Sequence, residues 1–284
     1  MSALSPRQLL EHLSPASRVF VPGSAGEPVA LTDALQNDLS LAHGSDFLCS
    51  FVPGVNRADL SVPGAREMTV FFMQNSYQPG VDEGVIHYLP MTYSAIQQHL
   101  VRPGQIDTVL LQVSPPDQNG RCSLGPQGEF LPALLSGGRR LLAVINPQVP
   151  HYPDAPSVAL EALTAYCEDD TPLREFSASK PSEEADIIAD HIANLIPDGA
   201  TLQCGLGKIP SQLMAALAGH RQLRLHSGMV SDGLLTLRDA GALADGAPIV
   251  ATVALGSTDF YERARAIKEL QIRGTDHTHN PAIL

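Results

Sequence analysis

Hydrophobic positions in the first half of the chain fall into short, dense runs separated by polar turns. The runs 17–23 (SRVFVPG), 46–51 (DFLCSF), 67–72 (EMTVFF), 107–113 (DTVLLQV) and 139–146 (RRLLAVIN) read as strands, with helical spacing near 28–42 and 92–101. Strands alternating with helices predict βαβ units. The expected fold class is therefore α/β, with open, largely parallel sheets and flanking helices.

The pattern breaks at 176–184 (FSASKPSEE), a polar stretch holding Pro181, and a new helix begins behind it. A boundary here divides the chain into an N-terminal α/β domain, 1–178, and a second α/β domain starting at 179–284. Ser182 is placed to cap the new helix, and Glu183 and Glu184 suit its first turn. Ala185, Ile188, Ala189, Ile192, Leu195 and Ile196 form one apolar stripe. Beyond a turn at Pro197-Asp198-Gly199, the stretch 202–210 (LQCGLGKIP) reads as a strand, a glycine loop and a helix start. Further strands are expected at 223–226 and 248–256, with a helix over 231–241 between them.

Of the 284 residues, 44% are hydrophobic and 17% charged, enough apolar material for substantial cores. The formal net charge of -12 repels polyphosphate backbones, so nucleic acid is not an expected partner. No apolar run approaches the roughly 18 residues of a membrane span, and the N-terminus lacks a secretory pattern. No membrane association is expected, and a cytoplasmic location is. Cys49, Cys122, Cys167 and Cys204 are scattered, which indicates neither a disulfide framework nor a zinc site.

Several residues carry candidate chemistry. In the glycine loop, Gly205 and Gly207 allow close backbone approach, and the amides of Leu206, Gly207 and Lys208 can face an anion at a helix start. The loop is not a full dinucleotide fingerprint, because Pro210 stands where its last glycine belongs. Glu27, just beyond the first strand, sits where ligand crevices open in α/β sheets. Asp117, within 113–125 (VSPPDQNGRCSLG), reads as a turn-stabilising side chain. Cys204 reads as a small buried strand residue. His226, Ser227 and Asp232 invite a catalytic triad, but adjacent strand residues project to opposite faces, and the triad is set aside. His277 and His279 look like half a metal site on a solvated loop, and no metal is expected.

Four stretches carry a resemblance: 107–125, 195–213 (LIPDGATLQCGLGKIPSQL), 225–233 (LHSGMVSDG) and 250–257 (VATVALGS). In order and approximate spacing they resemble the acetyl-CoA hydrolase and CoA-transferase family, which includes 4-hydroxybutyrate and succinyl-CoA:acetate CoA-transferases. The resemblance runs from about residue 18 to the end. It implies a CoA-transferase-like two-domain architecture whose second domain is incomplete here, because relatives continue past the position of Leu284.

The resemblance also implies chemistry. In the family a glutamate attacks an acyl-CoA, forms a mixed anhydride and then a glutamyl-CoA thioester, and passes CoA to another acid. The loop Gly205, Leu206, Gly207, Lys208 and Ile209 would contact CoA, with the Leu206 amide in the oxyanion hole. At the nucleophile's position this chain has Gly228, so neither covalent intermediate can form there.

The expected function is thus acyl-CoA binding with thioester hydrolysis, or a related cleavage, without the glutamyl-CoA intermediate. Water would occupy the space above Gly228, and His226 or Glu27 would act as general base. The alternative is a catalytically inactive CoA-binding or regulatory subunit, or a truncated CoA-transferase paralogue. Acyl-CoA and a carboxylic acid are the expected small-molecule partners, coenzyme A entering as substrate with no covalently bound cofactor. A homo-oligomer is expected, or a partner chain supplying the missing C-terminal region.

Overall fold

The computed structural model describes residues 4–152, 154–176 and 182–283, so the expected boundary at 178/179 lies outside the described residues. In the first half the strands are β1 (Arg18–Val21), β2 (Asp46–Cys49), β3 (Glu67–Val70), β4 (Ile86–Tyr88), β5 (Thr108–Val113), β6 (Arg121–Ser123), β7 (Arg140–Ile145), β8 (Ser157–Ala159) and β9 (Ala165–Glu168). Seven form one sheet in the order β4-β3-β2-β1-β5-β7-β9, and every pairing in it is parallel. β6 and β8 pair antiparallel as a separate ribbon.

A parallel sheet is covered on both faces, which is why its central strands are apolar runs instead of alternating patterns. All six residues of β5 are buried. Along β1, Val19 and Val21 join the core on one face while Phe20 joins the core on the other. The strand order runs outward from β1 to β4 and then returns to β5. The carboxyl ends of β1 and β5 therefore flank a topological switch point, where crevices open.

In the second half β10 (Thr201–Leu202), β11 (Arg224–Val230), β12 (Ile249–Ala254) and β13 (Leu270–Ile272) form a parallel sheet in sequential order. The helices Lys208–Ala216, Asp232–Asp239 and Thr258–Ala264 connect successive strands. Right-handed crossovers taken in one direction put all three helices on one face of the sheet. The other face is left for the first half of the chain.

Pro126 to Glu129 crosses onto that second sheet. Ala254 donates its backbone N–H to Pro126 O at 2.9 Å, Gly128 donates to Thr252 O at 2.9 Å, and Thr275 donates to Glu129 O at 2.9 Å. A Cβ on Gly128 would lie 2.2 Å from the Arg273 carbonyl oxygen, so only glycine fits the crossing.

Two expectations need refinement. The helical stretch 28–42 is a helix, Val29–Asn37, followed by a 3-10 turn, Leu39–Ala42, because Asp38 leaves helical geometry and its side chain accepts from Ser40 N. The helix Glu183–Ala193 is capped by Ser182 as expected. Of its stripe it buries only Ala185 and Ala189, joined by Ala193 from outside it, while Ile188 and Leu195 stay exposed, Leu195 to 83%. Short alanines let it approach the helix Lys208–Ala216 closely and keep the longer side chains outside the contact.

Candidate functional site

The glycine loop leaves β10 and enters the helix Lys208–Ala216 with Gly207 as its N-cap at φ 134°, a conformation that requires glycine. Gly205 is exposed, with open space where a side chain would start. Leu206 and Lys208 are half-buried and Ile209 is exposed, and together with Ser182, Glu184 and Ile188 they line a groove of about 460 Å³. The loop thus offers open backbone at a helix start, a geometry suited to an anionic or carbonyl oxygen.

Ser227 holds this loop in place. Its hydroxyl accepts from Cys204 N at 3.1 Å, donates to Cys204 O at 2.9 Å and accepts from Met229 N at 3.3 Å, and the residue is 1% exposed. Both backbone groups of the residue ahead of Gly205 are therefore fixed by one side chain on β11. Cys204 itself is half-buried, and burial pushes its thiol up, the reverse of an activated nucleophile.

On the opposite face of β11 lie His226 and Gly228. The space above Gly228 is filled: a Cβ placed there would lie 3.1 Å from Cε1 and Nε2 of the His279 imidazole. The expectations of a water-filled space at Gly228 and of a solvated loop at His277 and His279 are both corrected. The short helix Thr275–Thr278 packs against β11 and β12, which carries both histidines onto the sheet. His279 stacks on Tyr93 with centroids 4.5 Å apart and rings within 9° of parallel, and His226 stacks on His277 at 5.7 Å and 13°.

Burial, with His226 beside it, pulls the His279 imidazole below its ordinary proton affinity. Burial and the neighbouring His277 do the same to His226, whose Nε2 is buried without a hydrogen-bond partner. Both rings are neutral bases near pH 7. Thr278 Oγ lies 2.9 Å from His279 Nδ1 and 3.3 Å from Gly274 O, and it also contacts Thr252 Oγ. Among the described residues no group of three or more His, Cys, Asp or Glu could hold a metal ion.

Glu129 was not apparent in the sequence. Its backbone takes φ 46°, a left-handed conformation uncommon for glutamate, and its side chain is buried beside the same cluster. Oε2 accepts from Ser50 Oγ at 2.8 Å and Gln127 Nε2 at 3.0 Å, and the Tyr93 phenol lies close enough to act on the carboxyl as a donor. Burial raises its carboxyl to about 7, against the opposing pull of Ser50, Tyr93 and Gln127.

Glu27 is placed differently from a general base. It is fully buried, and both its oxygens are engaged: Oε1 by Thr32 Oγ at 2.9 Å and Arg174 Nη2 at 3.1 Å, Oε2 by Asn56 Nδ2 and Arg174 Nε, each at 2.8 Å. No lone pair is left in a free direction for a water, so its geometry is that of a structural ion pair. Asp232 likewise accepts from Ser257 N and Oγ and anchors the next connection. Asp117 accepts from the amides of Asn119 and Arg121 as a turn residue.

The exposed glycine loop at a helix start is held by the same strand that presents Gly228. The acetyl-CoA hydrolase/transferase N-terminal domain matches residues 2–161, and the chain belongs to that family. It is 31% identical over 234 residues to the succinyl-CoA:acetate/propanoyl-CoA:succinate CoA transferase of Fasciola hepatica, covering 81% of this chain and 49% of that protein. It is 25% identical over 278 residues to the 4-hydroxybutyrate coenzyme A transferase of Clostridium kluyveri, covering 94% and 64%. The chain thus spans about half to two-thirds of the length of these relatives. The crystal structure of RipA from Yersinia pestis shares the fold, with TM-score 0.88 and 23% identity over 99% of this chain and 70% of that one.

Proposed function

We infer that this chain binds an acyl-CoA at Gly205 to Ile209 and cleaves its thioester by water attack, without a glutamyl-CoA intermediate. The observation that carries this reading is the pair Gly228 and His279: the residue at the nucleophile's position has no side chain, and an uncharged imidazole stands 3.1 Å from where one would begin. With the Thr278 proton donated to the Gly274 carbonyl, Nδ1 of His279 carries the ring proton and Nε2 keeps its lone pair.

His279 Nε2 takes one proton from water as the water oxygen bonds to the thioester carbonyl carbon. The Leu206 amide supports the charge on the carbonyl oxygen. Collapse breaks the C–S bond, the leaving thiolate recovers the proton from the imidazolium, and the products are a carboxylic acid and free CoA. His226 lines the same face and takes the base role less directly, its ring being stacked on His277. No covalent cofactor enters this scheme, and an acceptor acid is not required.

The test is release of free thiol from acetyl-CoA by the full chain, with and without acetate, while intact mass is followed. Thiol release independent of acetate with an unmodified protein supports the reading. No release at high protein concentration, with CoA still bound, supports the inactive CoA-binding subunit instead.

A further inference from the structure

We propose that Thr278, backed by the Thr252 hydroxyl, is a positioning residue that fixes which ring nitrogen of His279 carries the proton. The proposal rests on the reading of His279 as base for its catalytic meaning. The tautomer itself can be read without any turnover.

The two threonines reach His279 from different elements. Ser227 on β11 is level with Ala251 on β12, and Met229 with Val253, so Thr252 stands beside Gly228 on the same face of the sheet. The Thr252 carbonyl accepts from Gly128 N at 2.9 Å, which pins this point of β12 to the crossing segment. Thr278 is the last residue of the helix Thr275–Thr278, directly before His279. Both threonines are buried, and their hydroxyls are in contact. Thr252, Thr278 and His279 thus form an arc around Gly228.

The polar groups of this arc pair in one fully satisfied way. Thr252 Oγ has Thr278 Oγ as its hydrogen-bond partner, and a buried hydroxyl proton without an acceptor is costly, so Thr252 donates to Thr278. Thr278 Oγ is left with one lone pair and one proton for two further neighbours, Gly274 O at 3.3 Å and His279 Nδ1 at 2.9 Å. A carbonyl oxygen can only accept. The Thr278 proton therefore goes back one turn to Gly274 O, and the Nδ1 proton of His279 goes to Thr278. In the reverse arrangement the Thr278 proton points at Nδ1, and the Thr278 and Gly274 oxygens face each other with no proton between them. By filling one lone pair of Thr278, Thr252 leaves that hydroxyl a single satisfied orientation.

With Nδ1 protonated, the lone pair of the neutral ring is on Nε2, which with Cε1 is the part of the ring 3.1 Å from where a Gly228 side chain would begin. Proton uptake at Nε2 leaves the Nδ1–H bond to Thr278 as it was. Nothing behind the ring has to rearrange. A hydroxyl also holds this tautomer without the negative charge that a carboxylate in its place would add. The ring is therefore oriented while burial, and then His226, still keep its proton affinity low.

The experiment is ¹⁵N NMR of the full chain with ¹⁵N-labelled histidine, recorded with the rings neutral, on the parent, Thr278→Val, Thr278→Ser and Thr252→Val. His279 is assigned through His279→Gln, and its ring nitrogen shifts distinguish Nδ1–H from Nε2–H. The parent should carry its proton on Nδ1. Thr278→Val keeps the shape but sets a methyl group against Nδ1, and the tautomer ratio should move toward Nε2–H by at least roughly fivefold, the worth of one hydrogen bond. Thr278→Ser should restore the parent pattern, and Thr252→Val should move it in the direction of Thr278→Val but by less. Thiol release from acetyl-CoA by Thr278→Val should fall in kcat with little change in KM. A folded Thr278→Val with the parent's ring pattern overturns the proposal, as does a parent that carries its proton on Nε2. A Thr252→Val pattern equal to the parent's removes Thr252 from it. The expected tautomer pattern in a chain that releases no thiol rejects the base role of His279 and leaves the positioning intact.

Discussion

The His279 imidazole stands 3.1 Å from the point where a side chain on Gly228 would begin. The two residues are far apart in sequence and meet because the helix Thr275–Thr278 lies back across β11. Restoring a glutamate at this position therefore requires the imidazole to move. Gly228→Glu should lose about 1–3 kcal/mol in urea denaturation, and Gly228→Glu with His279→Ala should lose less than the two single changes added together. Strict additivity would mean that the two positions do not compete for space.

The clamp on the glycine loop gives a second expectation. Ser227→Ala removes the partner of Cys204 N and O at once and leaves buried backbone groups unpaired. A stability loss of about 1–3 kcal/mol follows, together with weaker CoA binding in calorimetry because the loop is no longer fixed. Unaltered CoA affinity would show that the loop keeps its shape without the clamp.

Arg174 and Glu27 form the ion pair that closes the switch point of the first sheet. Arg174→Ala strands a fully buried carboxylate and should cost about 3–5 kcal/mol. Replacing both by a neutral pair, Glu27→Gln with Arg174→Met, should recover a large part of that loss. The chevron midpoint in guanidinium decides between recovery and a purely cumulative loss.

Glu129 makes stability depend on pH in a defined direction. Burial raises its folded value to about 7, above the ordinary carboxyl value of 4.5 that it regains on unfolding. The folded chain then binds more protons than the unfolded one between those values, so this residue's contribution falls as pH rises through that window and is lowest above pH 7. The loss amounts to about 3 kcal/mol in order of magnitude. Glu129→Gln should remove this slope, and the difference between parent and variant in urea midpoints from pH 4.5 to 8 measures it. Parallel curves for the two proteins would contradict the buried, proton-holding carboxyl.

The parallel strands could be read from the sequence because strands buried on both faces leave solid apolar runs, as β5 and β7 do. β4 and β9 left weaker marks: the first is three residues with two exposed, and the second mixes Glu168 and Tyr166 with small residues. The glycine loop was legible for a local reason, since strand, glycines and helix start follow one another in the chain. The His279 contact with Gly228 had no local sign, and His277 and His279 looked like polar loop residues until the fold placed them on the sheet. Glu27 looked like a candidate base from its place after β1, but only the tertiary approach of Arg174 reveals that its oxygens are fully engaged. Glu129 sits in a short turn-like stretch, and it is buried where that stretch crosses onto the second sheet, with Ser50 of the first half against its carboxyl.

The most direct test is acetyl-CoA turnover in ¹⁸O-labelled water, comparing the parent chain with His279→Ala while recording the mass of both acetate and protein. The account predicts that acetate gains one solvent oxygen, that the protein never carries an acyl or CoA adduct, and that His279→Ala is slower by at least about 100-fold. A CoA or acyl adduct on the protein, or full turnover by His279→Ala, would contradict it.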